Sequence, residues 1–167
     1  MVDINNTPWY WREYLRQTVA FTIMEMLLVM ALLMTLSAIA MPLYANYIDE
    51  ARVTRVLLEI STIETFLERY ERNNGDLPSS LDALEDEVTN DPCGSPYRYL
   101  KIRGEGNNGK PPQGARKDKF LHPLNTDYDL CSMGPDHDTK AALTASASRD
   151  DILRADNGNY IGMASGY

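Results

Sequence analysis

The chain has 167 residues, enough for one ordinary domain and a short extension. It carries 16 basic against 24 acidic side chains, a net charge of −8. That balance argues against nucleic acid as a partner, because phosphate binding wants a basic face.

Residues 26–43 carry no charge. Such a run sits at the lower limit for a membrane-spanning helix, which needs about 17–25 apolar residues. Phe21 and Ile23 extend it on the far side of Glu25. Arg12 and Arg16 precede it, so the positive-inside rule predicts residues 1–20 in the cytoplasm and the rest outside. Trp9, Tyr10, Trp11 and Tyr14 suit an interfacial position on the same side. A cleaved secretory signal is the competing reading, since Ala38-Ile39-Ala40 matches a small-residue cleavage site. Against it, a charge within the apolar region is unfavourable by up to roughly 3 kcal/mol at a helix centre. The helical pattern also continues past that cut.

In the continuation, Val53, Val56, Leu57, Ile60, Ile63, Phe66, Leu67 and Tyr70 recur at steps of three and four, on one helix face. Arg52, Arg55, Glu59, Glu64 and Glu68 occupy the other face. Gly75 and Pro78 stop it. Only Pro42 interrupts the path, where a missing donor and a crowded preceding turn predict a kink or local melting. The spacing thus predicts one helix of about fifty residues, near 80 Å at 1.5 Å per residue. It is apolar all round in its first half and striped in its second.

Beyond it, "LPSSLDALEDEVTND" predicts a short helix, capped by Ser79 or Ser80, with Asp82 in its first turn and Leu81, Leu84 and Val88 inward. "DPCGSP" is a turn cluster. Residues 97–102 alternate like a strand, and segments around 128–132 and 159–165 read as two more. Between the first two strands lies a polar loop holding Gly104-x-Gly106-x-x-Gly109-Lys110. Pro111 and Pro112 follow directly, so no helix N-terminus is available for a pyrophosphate and the motif reads as a loop. His122 and His137 are the only histidines. No nucleophile–base–orienter constellation is present, and the chain reads as a non-enzyme.

Two features stay open at this level. The spacing of Cys93 and Cys131 fits no zinc or CxxC motif; in an oxidising compartment they can pair, and otherwise they are two buried thiols. The acidic run Asp127, Asp129, Asp136, Asp138, Asp150, Asp151 and Asp156 is either a solvated face or a site for a multivalent cation.

Ala20-Phe21-Thr22-Ile23-Met24-Glu25, the apolar run and Pro42 together resemble the class III signal and helix of type IV pilin-like proteins. The resemblance implies a pilin-like α+β fold, with a long kinked N-terminal helix on a small antiparallel sheet, a short extra helix and a C-terminal loop region. It divides the chain into a leader (1–20), a transmembrane or filament-core helix (21–45) and a periplasmic globular domain (46–167). It further implies cleavage by a prepilin peptidase between Ala20 and Phe21 and N-methylation of the new amine. Phe21, Glu25 and Pro42 would then serve assembly. The family's residue before the cut is glycine; here it is Ala20.

"NNGDLPSSLDAL", "NDPCGSPYRYL" and "YDLCSMGPD…RDDI" are similar to segments of the major pseudopilin of type II secretion systems, with Cys93 where an aromatic usually stands. That similarity implies a calcium site made by Asp136, Asp150 and Asp151, with backbone carbonyls from 130–133. The intervening "HDTKAALTASASR" is longer than the family's, so it either loops out or displaces the pair, Asp138 then substituting. It also adds weight to a Cys93–Cys131 disulfide, if the first two strands are antiparallel neighbours, closing a loop of about 38 residues. The function implied is a structural subunit of a helical filament. It would start as a single-pass protein of the bacterial inner membrane, with an assembly machinery and minor pseudopilins as partners, and end in a periplasmic or extracellular filament. A type IV pilus subunit, and a secreted or anchored calcium-binding module, are the alternatives.

Overall fold

The computed structural model describes residues 20–84, 90–106 and 110–167. Of the proposed leader 1–20 all but Ala20 lies outside the described residues, as do Val88 and Gly109. The chain divides into two compact units, 1–46 and 47–167.

Helix α1 spans Ile23–Asn74. In the first unit it is the apolar run, and its large side chains are exposed, from Ile23 through Leu33 to Leu43. α1 continues unbroken through Pro42, so the expected local melting does not occur. The lost donor costs a single helical bond, to the carbonyl of Ala38, while the turns on either side remain closed.

In the second unit the stripe covers a core. Val56, Ile60, Ile63 and Leu67 are buried, with Val53, Leu57, Phe66 and Tyr70 half-buried beside them. The opposite face keeps its hydroxyls busy: Thr54, Ser61, Thr62 and Thr65 each donate to the carbonyl four residues earlier. At the C-terminus Gly75 takes φ 79° and its N–H donates to the Glu71 carbonyl, a left-handed cap that a side chain would strain.

The stripe packs on a four-stranded antiparallel sheet in the order β1-β2-β3-β4, with strands Arg98–Lys101, Tyr128–Ser132, Ile152–Ala155 and Tyr160–Met163. Alternation along the central strands sorts side chains between two cores. Tyr128, Leu130 and Ile152 join the α1 core with Leu77, Leu84 and Tyr97. Cys131, Leu153 and Ala155 fall on the other face with Leu124, Leu143 and Ala164. β2 is therefore buried along its full length.

Strands β1, β2 and β4 stand where the alternation predicts them. β3 is a strand that the sequence pattern does not predict, because "DDILRA" reads as polar. Arg154 there packs inward against α1: Nε bonds Glu64 at 2.5 Å, Nη2 bonds Asp127 at 2.8 Å, and the guanidinium lies 4.2 Å over the Tyr128 ring. The predicted short helix is reduced, within the described residues, to a 3-10 turn at Leu81–Ala83. Ser80 has the extended backbone of a cap but makes no side-chain cap bond. Leu84 reaches the core from just beyond this turn.

Candidate functional site

The predicted site residues fall into two groups, one in each unit. At the start of α1, Thr22 precedes the first helical residue, and its Oγ1 accepts the Glu25 N–H at 3.1 Å. Ser/Thr followed three residues later by Glu is a capping-box arrangement, and an acid in the first turn suits the helix dipole. Phe21 lies just outside the cap and is 69% exposed. Residues 20–46 of this unit offer the apolar run no cover. An apolar surface of this extent needs lipid or other protein around it. α1 is the helix, among the described residues, long and apolar enough to cross a membrane.

The second group lies where β2 leads into β3. The "HDTKAALTASASR" insert neither loops out nor stands apart. Lys117 N–H donates to the Ala141 carbonyl and Leu143 N–H returns to that of Lys117. Leu143 enters the second core. Ser148 Oγ accepts the Lys140 N–H and donates to the Lys140 carbonyl, both at 2.9 Å. The insert is thus stitched to residues 116–117 over the outer face of the sheet.

Asp151 is fully buried at the mouth of β3. Its Oδ2 accepts from Arg116 Nη1 at 2.9 Å and from Thr139 Oγ1 at 2.5 Å; Oδ1 has no partner among the described residues. Burial pushes its pKa above the ordinary carboxylate value, against the pull of Thr139 and Arg116. Arg116 is itself buried and makes further bonds through Nη2, to Cys131 Sγ at 2.7 Å and Thr139 Oγ1 at 2.6 Å. Its backbone N–H donates to Asp129 Oδ2 at 2.6 Å. Asp129 is likewise raised by burial, with that N–H and Asn125 pulling it down.

Asp136 is exposed and its Oδ1 accepts the Asp138 N–H at 2.9 Å, a local turn. Asp150 closes on Gly134, whose φ is 67°; a Cβ there would sit 2.7 Å from the Asp150 carbonyl oxygen. Among the described residues no three His, Cys, Asp or Glu side chains gather as a metal-binding group. Arg116 and Thr139, the residues that complete this cluster, carry no sequence signal. One is an arginine in a charged loop, the other a threonine in an insert.

Cys93 and Cys131 are both free thiols in this structure, and their expected pairing is not shown. The strands are neighbours as supposed, with Arg98 opposite Cys131. Alternation, however, turns Cys131 to the face away from α1. Cys93 belongs to the turn held by Asp91, whose Oδ1 accepts the Cys93 and Ser95 N–H groups. The Asp91 Oδ2 accepts the Ser132 hydroxyl at 2.5 Å, and Ser132 is the residue whose side chain takes the other face. Burial pushes the Cys131 thiol up to about 11.

No family model matches the chain, and no solved structure does. Among curated proteins, it is 29% identical over 106 residues to the type II secretion system core protein G of Pseudomonas aeruginosa, covering 51% of this chain and 75% of that protein. It is 42% identical over 48 residues to the type IV major fimbrial protein FimA of Dichelobacter nodosus, 29% of this chain and 31% of that protein. It is 34% identical over 68 residues to the fimbrial protein EcpB of Eikenella corrodens, 41% and 42% of the two chains. These similarities, at modest identity, support a type IV pilin-like superfamily for the chain. As in the expectation from sequence, this pilin-like chain has a long N-terminal helix packed on an antiparallel sheet. Its apolar run fits a membrane-anchored, single-pass subunit. The chain spans only about a third to two fifths of the fimbrial proteins it matches.

Proposed function

We propose that this pilin-like chain is a structural subunit of a type II secretion pseudopilus. The observation that carries the reading is the uncovered apolar half of α1, with a carboxylate in its first turn. The precursor waits in the inner membrane with its N-terminus in the cytoplasm and its globular unit in the periplasm. A prepilin peptidase cuts between Ala20 and Phe21, and the new amine is methylated. Subunits then stack, and neighbouring apolar helices replace lipid around each run. An inner-membrane machinery drives the stacking, and minor pseudopilins join the filament.

Glu25 acquires its role at the cut. Cleavage puts an ammonium on Phe21, beside a helix N-terminus that already carries partial positive charge. A carboxylate on the same or an adjacent subunit offsets that repulsion, more strongly in a low-dielectric filament core than in water. An unpaired Glu25 there is unfavourable, so the pair also checks axial register.

Mass spectrometry of the mature N-terminus tests the first step. A methylated Phe21 start supports filament assembly, a Met41 start indicates secretion, and an intact Met1 indicates a plain anchor. Glu25→Ala should be cut normally and yield few filaments; normal filament yield would remove the pairing role. The higher local identity to fimbrial proteins favours, as the second reading, a type IV pilus subunit in adhesion or motility.

A further inference from the structure

The resemblance calls for calcium between β2 and β3, held by Asp136, Asp150, Asp151 and carbonyls from 130–133. The residues present do not fit that ion. Calcium takes six to eight oxygens at close range. Here the three carboxylates do not gather: Asp136 is exposed in its own turn, and Asp150 is folded against Gly134. Asp151 already has a cation on one of its two oxygens. A divalent ion on the other oxygen would stand within a few ångströms of a buried guanidinium, and like charges at that range repel. Leu130 and Cys131, two of the proposed carbonyl donors, lie within a strand paired to neighbours on both sides.

We infer that Arg116 is this chain's built-in cation for the β2–β3 loop, and that it orders the loop without a metal. Its contacts join the segments an ion there would have joined. Nη2 reaches Cys131 in β2 and Thr139 in the insert, while Nη1 reaches Asp151 at the start of β3. Arg116 is positioned in turn by Asp129 on β2 and by the Lys117–Ala141 and Leu143–Lys117 bonds next to it. A planar guanidinium with fixed donors suits this task better than a flexible ammonium. Thr139 closes the circuit, accepting from Arg116 and donating to Asp151. The insert between Asp136 and Asp150 supplies Thr139, which connects its length with the change of cation. This inference goes beyond the filament reading and holds for either kind of pilus.

The experiment is a pair of measurements on the full chain in detergent micelles. Thermal melts in EDTA and in millimolar calcium chloride should coincide, and calorimetric titration with calcium should show no binding. Arg116→Met should lower the melting temperature on the order of 10 °C in both buffers, since it strands a buried carboxylate. Arg116→Lys should recover part of that loss. A wild-type melting temperature raised several degrees by calcium, or saturable calcium binding removed by Asp151→Asn, overturns the inference. Should Arg116→Met fail to fold, the wild-type melts and titration decide by themselves.

Discussion

The two halves of α1 share one helical backbone and differ in what their side chains meet. From 21 to 44 nearly every large apolar side chain is exposed, and none is buried. From 53 to 70 the apolar positions, the exposed Leu58 apart, form a stripe that a sheet covers. The second half completes its packing within its own chain; the first half requires another environment to complete its own. A helix apolar all round signals lipid or a helical bundle, and a helix with one stripe signals a single covered face.

Substitutions can break this contrast. Leu67→Ala, at a fully buried position of the stripe, should cost about 2–5 kcal/mol in denaturation of the detergent-solubilised chain. Leu33→Ala, in the exposed run, should leave that transition where it was and act on filament yield alone. Equal losses from the two would mean that the first half packs within its own chain. Arg154→Ala should follow at about 2–3 kcal/mol, because Glu64 on α1 and Asp127 beside β2 lose one shared partner. Since those carboxylates keep some contact with water, the effect is discounted accordingly. A change under about 0.5 kcal/mol would reduce Arg154 to an ordinary surface charge. The smallest effect concerns the thiols. Cys93 should label in the native protein and Cys131 only after unfolding, since burial holds its thiol near 11. Loss of both free thiols, with a mass two hydrogens lower, would show the disulfide forming after all.

Much of the fold was legible from local patterns. The stripe of Val56, Ile60, Ile63 and Leu67 announces its own burial, because step length alone puts those residues on one face. The alternation in β1, β2 and β4 works likewise. β3 escaped because Arg154 occupies an inward position, and an inward charge is readable only with Glu64 and Asp127 beside it. The cysteines show a related limit. Adjacent strands brought their neighbourhoods together, while alternation along β2 turned Cys131 to the face away from α1 and Cys93 stayed in the turn held by Asp91. Pro42 showed a third limit: the sequence predicts the loss of a bond, but the strength of the surrounding turns decides whether the helix survives it.

The N-terminal features are determined by the sequence itself, since an uncharged run, a capping threonine and a first-turn carboxylate act through chemistry within one or two helical turns. The β2–β3 loop is different. Its acidic residues are visible in one dimension, but a carboxylate's partner is whichever cation the fold brings close. Arg116 is far from Asp151 in sequence and 2.9 Å away in the structure. Charge at a distance is long-range and non-directional until burial removes water, and only the tertiary structure decides which charges are buried together.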